Sequence, residues 1–154
     1  MATTFRLDPE GNAALLAQLA TGFAEFGEEA ARTIAQTAPS KTGRYRRTFH
    51  ATTFLDNRIV SGPAIRGKGI KSNAQLWTAI YTTSPLGHLL ELGTAAHDIP
   101  VTVAHGPFAE RIIHHPGSRR YPHFWIGFTS VLARAGSIIA GAAKVRGRVD
   151  VRII

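Results

Sequence analysis

With 154 residues, 44% hydrophobic content and no cysteine, the chain can build one core and excludes a disulfide framework, a thiolate nucleophile and a cysteine-based zinc site. Its formal charge of +8 is unevenly placed: residues 1–36 hold Asp8, Glu10, Glu25, Glu28 and Glu29 against Arg6 and Arg32, a net −3, which leaves +11 for the remainder. That split suits a polyanionic partner or a neighbouring subunit of complementary charge, and an intracellular origin fits the lack of cysteine.

Asp8-Pro9-Glu10 marks a helix start, with Asp8 placed to cap, Pro9 at the first helical position and Glu10 beside the positive end of the dipole. Leu15, Leu19, Phe23, Phe26, Ala30 and Ile34 recur at three- and four-residue spacing, which predicts an N-terminal helix through residue 37 with one apolar stripe. Gly22 and Gly27 weaken it slightly. The acidic flank of this alanine-rich run is wrong for a signal peptide, and Phe124–Ala133 is too short to cross a bilayer. The expectation is a soluble chain with no membrane partner.

Pro39 ends the helix, because it disfavours helical geometry at Ala38, and Gly43 is free to take a positive φ in the turn that follows. After it, Tyr45, Phe49, Ala51 and Leu55 alternate with Arg44, Arg46, Thr48, His50 and Thr52, predicting a half-buried strand from Arg44 to Leu55. Asp56-Asn57 then reads as a two-residue hairpin turn into a strand over 58–61. Residues 62–73 form a glycine-rich loop carrying Arg66, Lys68 and Lys71, expected to project and to be mobile unless a partner holds it. Leu76, Trp77, Ile80 and Tyr81 favour a strand over 74–83.

Ser84-Pro85 opens a short helix over 85–92 that Gly93 closes. Two short strands follow, over 99–103 and 108–113, with Pro100 and Pro107 placing at least one at an edge. After a basic and aromatic loop over 114–122, Phe124, Phe128, Val131, Leu132, Ala135, Ile138, Ile139 and Ala142 predict a C-terminal helix over 122–146. The alternation of Val149, Val151 and Ile153 with Arg148, Asp150 and Arg152 predicts a terminal strand over 148–154 that pairs with this sheet or a neighbour's. The fold class is α+β: a single domain whose mixed, mainly antiparallel sheet over 44–113 packs against the two long helices.

Chemistry-bearing constellations are sparse. His105, His114, His115 and His123 lack HExxH or HxH spacing, and His88 with Glu91 is a single helix-face pair, so they read as loop and surface histidines rather than a metal site. Outside the N-terminal segment the carboxylates Asp56, Glu91, Asp98, Glu110 and Asp150 are scattered, and Gly62, Gly67 and Gly69 lack the spacing of a phosphate cradle. No catalytic residue, cofactor or metal is expected. The clusters Arg44/Arg46/Arg47, Arg66/Lys68/Lys71, Arg119/Arg120 and Lys144/Arg146/Arg148, with Tyr45, Tyr121 and Trp125 nearby, suit either a phosphate backbone or the acidic helix of an adjacent copy.

Three boxes together resemble a known family. Ala38-Pro39-Ser40-Lys41-Thr42-Gly43-Arg44-Tyr45-Arg46-Arg47-Thr48 is similar to the Pro-x-x-Thr-Gly-x-Leu-Arg signature of the tail-completion or neck (head-tail connector) proteins of long-tailed bacteriophages, the lambdoid tail component family. Tyr81 followed by Leu89-Leu90-Glu91-Leu92-Gly93-Thr94 resembles that family's tyrosine strand and Glu-Phe-Gly-Thr box. Tyr121-Pro122-His123-Phe124-Trp125 resembles the Pro-His-Pro-Phe opening of its final helix. Tyr45 stands where leucine is usual, and Trp125-Ile126-Gly127 replaces Leu-Arg-Pro.

The resemblance implies a structural virion protein, made in the bacterial cytoplasm, at the head-tail junction of a phage or of a phage-derived gene transfer agent. Such proteins form rings, commonly sixfold, around the channel that double-stranded DNA traverses. The implied partners are further copies of the chain, the head-closure or portal-side proteins, and the tail-tube or terminator proteins. Arg66, Lys68 and Lys71 would then serve assembly or the DNA channel, and Val149, Val151 and Ile153 an intersubunit strand. The alternatives are a tail terminator or minor capsid component of the same particle, and a sequence-independent nucleic-acid-binding protein.

Overall fold

The computed structural model describes residues 9–39, 43–66, 71–100 and 112–144. A 29-residue helix, α1 (Pro9–Thr37), is the element on which the others pack. It leads through a 3₁₀ turn at Tyr45–Thr48 into β1 (Phe49–Leu55), β2 (Arg58–Ser61) and β3 (Leu76–Thr82). A short helix α2 (Gly87–Leu92), the strands β4 (His97–Pro100) and β5 (Ile112–His115), and the helices α3 (His123–Leu132) and α4 (Ala135–Ala142) complete the order. This is an α+β fold. Every described strand pair is antiparallel, in a three-stranded sheet of order β2-β1-β3 and a separate β4-β5 ribbon. Among the described residues the expected single sheet over 44–113 is therefore two.

Of the predicted stripe on α1, Phe26, Ala30 and Ile34 are buried and Leu15, Leu19 and Phe23 half-buried, and Ala20, Ala31 and Ala38 extend it. Phe26 and Ala30 pack against Val131, Ala135 and Ile139 of the C-terminal helices, while Ala31, Ile34 and Ala38 pack with Phe49 of β1. Ile80 and Phe128 adjoin both groups. Gly22 and Gly27 are contact points rather than weak spots: a Cβ on Gly22 would lie 2.4 Å from the Ile139 carbonyl oxygen, and one on Gly27 would lie 2.7 Å from the Thr78 methyl. Close helix approach outweighs their poor helix propensity.

In β1 the expected half-buried alternation gives way to burial on both faces, with Phe49 and Thr53 buried on one and Thr52 and Phe54 on the other. Ala51 faces α1 beside Gly27, and Thr53 donates to the Thr78 hydroxyl (2.8 Å), which in turn donates to the Phe23 carbonyl (3.3 Å). On the other face Phe54 stacks on Trp77 at 4.1 Å between ring centroids. The hairpin turn is as expected, with Asp56 at φ 50° and Asn57 at φ 58°, the mirror-image turn geometry that matches strand twist.

Three elements differ from expectation. The strand begins at Phe49, not Arg44, because Arg44–Thr48 closes locally: Thr48 Oγ1 donates to the Tyr45 carbonyl at 2.7 Å, and Arg46 Nε reaches back to the Ala38 carbonyl at 3.1 Å. The helix expected over 122–146 is two helices bent by 60°. At the bend the Arg134 amide bonds three residues back, to Val131, and the Arg134 carbonyl opens α4 by accepting both the Ile138 amide at 3.0 Å and Ser137 Oγ at 2.8 Å. The described ribbon strands begin at His97 rather than at 99 and end at His115 rather than at 113; 101–111, which hold the rest of the strands expected over 99–103 and 108–113, lie outside the described residues, as do Asp8 and the terminal strand expected over 148–154.

Among the described residues no single helix is long and apolar enough to cross a membrane; α3 and α4 together pass only as a bent pair, and their Val131, Ala135 and Ile139 are buried against α1.

Candidate functional site

The three sequence boxes meet at one buried polar junction. Gly43, at φ 73°, makes the turn that brings Tyr45 back over the end of α1. The Tyr45 hydroxyl lies 2.8 Å from Nε2 of His123, a residue only 1% exposed. His123 Nδ1 faces two acceptors, the Tyr121 carbonyl at 2.8 Å and Glu91 Oε2 at 3.4 Å. Nδ1 therefore carries the proton, and Nε2 accepts from Tyr45.

Glu91, on α2, reaches the opening of α3. Its two carboxylate oxygens accept the amides of Phe124 (3.0 Å) and Trp125 (3.3 Å), so a carboxylate from another helix supplies the capping acceptor that α3 lacks in its own sequence. The Thr37 hydroxyl, at the end of α1, lies 3.0 Å from the His123 carbonyl. Burial first, and the negative charge of Glu91 second, hold the Tyr45 phenol above its ordinary pKa of 10.0. Every polar atom buried here has a partner.

Around this junction the remaining box residues take structural posts. Gly93 ends α2 at φ 74°, where a Cβ would strike the backbone at Ser118 and Arg120, and Thr94 forms a bridge with Ser118. Pro122 precedes α3, and Phe124 packs on the Ile34 group. Tyr81 belongs to a second locus, with its hydroxyl 3.3 Å from Thr52 Oγ1 and 3.5 Å from the Pro63 carbonyl. Pro39 stands two residues beyond the end of α1, Arg47 is exposed, and Thr42 lies outside the described residues.

The loop over 62–73 is clamped at both legs. Thr52, fully buried, donates to the Pro63 carbonyl at 2.7 Å. Asn57 both donates to the Ser72 carbonyl and accepts its amide, each at 3.1 Å, and also accepts from Trp77 Nε1 at 3.2 Å. Mobility is thus not a property of the legs; Lys68 lies outside the described residues. Under the first leg runs an open groove of about 760 Å³ lined by His50, Pro63, Ile65, Arg66, Tyr81 and Thr83. Arg66 and Lys71 are exposed, and the Asn57–Ser72 link brings the neighbouring Arg58 and Lys71 to one tip of the sheet.

The histidines divide. His114 pairs with Asp98 on one face of the β4-β5 ribbon, and His97 and His115 face each other on the other, ring centroids 5.0 Å apart. Among the described residues no group of three or more His, Cys, Asp or Glu is placed to hold a metal. His123 is a correction to the surface reading. The visible signal was its position as the first residue of a helix, directly after proline and before an apolar run, a place where a ring is carried into the core. The Tyr45 hydroxyl serves that imidazole.

Compared with protein-family models, curated proteins and solved structures, the chain matches none.

Proposed function

We propose that this chain is a structural virion protein of the head-tail junction, a tail-completion or neck protein that forms a ring around the DNA channel and joins tail to head. The observation that carries the reading is the convergence of the three boxes. Tyr45, Glu91 and His123, up to 78 residues apart in sequence, lock α1, α2 and α3 into one block through hydrogen bonds centred on a buried imidazole. A motif set that resembles one family box by box thus also acts as one unit.

In this role the junction fixes a rigid body, and the exposed cations around it do the joining. Arg58, Lys71 and Arg66 stand on the sheet side; none has a hydrogen-bond or ion-pair partner among the described residues. They are available to phosphate or to an acidic neighbouring subunit. The same cations favour a second reading, a sequence-independent nucleic-acid-binding protein, which predicts salt-dependent DNA binding by the isolated chain. A tail terminator or minor capsid role is a variant of the first.

Deleting the gene from its phage or particle-forming locus and imaging the products tests the reading. Filled heads separated from finished tails are expected. Normal infectious particles would overturn it and bring the nucleic-acid reading forward.

A further inference from the structure

Six large apolar side chains are exposed on two elements that meet: Leu86, Leu89 and Leu92 of α2 or its cap, and Tyr121, Trp125 and Ile126 at the opening of α3. The two elements are tied at their ends, since the Tyr121 amide donates to the Leu90 carbonyl at 2.8 Å and Glu91 holds the amides of Phe124 and Trp125. At about 200 Å² per side chain and roughly half exposure, the face amounts to about 600 Å², the upper end of what a monomer leaves uncovered. Polar capping by Glu91 turns inward, so nothing of its charge blunts the face.

The rim of this face is basic. Arg119 and Arg120 are exposed, run directly into Tyr121, and lie with their backbone against Gly93 at the end of α2. Neither has an ion-pair partner among the described residues. On α1, turned away from the core, Glu25 and Glu28 are likewise exposed and without such a partner, whereas Glu29 is engaged by Arg32 at 2.9 Å and Arg134 at 3.4 Å. One helical face joins them to Ala14, Ala17 and Thr21, all exposed. This stripe is acidic, flat and built of small side chains that let bulky neighbours approach closely.

We propose that the α2/α3 apolar face docks on the outer stripe of α1 of a second copy of this chain, with Arg119 and Arg120 set against Glu25 and Glu28. Opposite charge selects this occupant: a two-fold contact of the apolar face with itself would bring two basic rims into one interface. The contact is heterologous, so each copy offers one face and accepts the other, and repetition closes a ring when the rotation permits. The inference rests on the ring-forming reading above and specifies its subunit contact.

Analytical ultracentrifugation of the full chain tests it. The unaltered chain is expected to self-associate, and Leu92→Asp and Trp125→Ala are each expected to weaken association at least tenfold with unchanged thermal unfolding. Arg119→Glu/Arg120→Glu and Glu25→Lys/Glu28→Lys, all at exposed positions, are each expected to be monomeric alone and to associate when mixed in equal amounts. That rescue requires two different surfaces in one contact. Oligomers that persist in Leu92→Asp and Trp125→Ala, charge-reversed variants that fail to associate on mixing, or an unaltered chain that stays monomeric at several hundred micromolar would each overturn the proposal. A monomeric chain whose gene deletion still separates heads from tails would sink this contact and leave the head-tail reading standing.

Discussion

Replacing Glu91 by alanine removes the acceptor for two amides at the start of α3, those of Phe124 and Trp125. Loss of an N-terminal cap costs about 0.5–2 kcal/mol, and a hydrogen bond to a charged group contributes about 1.5–3 kcal/mol. The Glu91 side chain is 14% exposed, so water recovers part of this, and a net loss of about 2 kcal/mol is expected. For a chain of this length that lowers Tm by about 4–8 °C. Urea unfolding followed by tryptophan fluorescence reads it directly, because Trp125 sits on the affected turn. Glu91→Gln keeps an acceptor oxygen without the charge and should lose about half as much. A Glu91→Ala midpoint within about 0.5 kcal/mol of the unaltered chain would refute the claim that this carboxylate holds α3 in place.

Tyr45 deprotonates later in the folded than in the unfolded chain, because burial and Glu91 both raise its pKa; its contribution is complete below pH about 10 and is lost as pH rises through the folded value. Tyr45→Phe should therefore flatten the decline of urea midpoints above about pH 10, and an unchanged slope there would contradict it. Gly127→Ala should destabilise by about 1–3 kcal/mol despite alanine's better helix propensity, since the new Cβ would lie 2.6 Å from the Ile34 Cα; thermal melts decide. Thr52→Val strips the donor from the Pro63 carbonyl and should speed proteolytic cleavage of the 62–66 leg severalfold while leaving the core intact, and equal cleavage rates would show that the leg is held otherwise.

Period and turn chemistry were readable where one partner decided the outcome. The stripe of α1 and the Asp56-Asn57 turn depend on local spacing and on φ, and both appear as expected, whereas β1 is buried on both faces at Thr52 to Phe54 because Pro63 and Trp77 cover its second face. Long-range choices were not readable. Nothing near Gly22 says that Ile139 will press against it, so its cost was visible and its use was not. The bend after Leu132 is equally hidden, because Val131, Ala135 and Ile139 keep helical spacing across it; only the packing of both halves on α1 requires the break. Glu91 looked like a helix-face partner of His88, yet it turns to the amides of another helix. His123 looked like a loop residue because its two partners, Tyr45 and Glu91, lie 78 and 32 positions earlier.

The same arrangement bears on how the chain is made. The apolar stripe of α1 leaves the ribosome first, but the groups that cover one side of it belong to α3 and α4, as the reach from Glu29 to Arg134, 105 residues, illustrates. At about 5–20 residues per second, that interval exposes Phe26 and Ala30 for about 5–20 s during synthesis. The sheet, completed near residue 82, can shelter the Ala31–Ala38 side earlier. A nascent chain truncated after β3 should thus bind a hydrophobic dye or a chaperone through the other side of α1, and extension through residue 142 should release it.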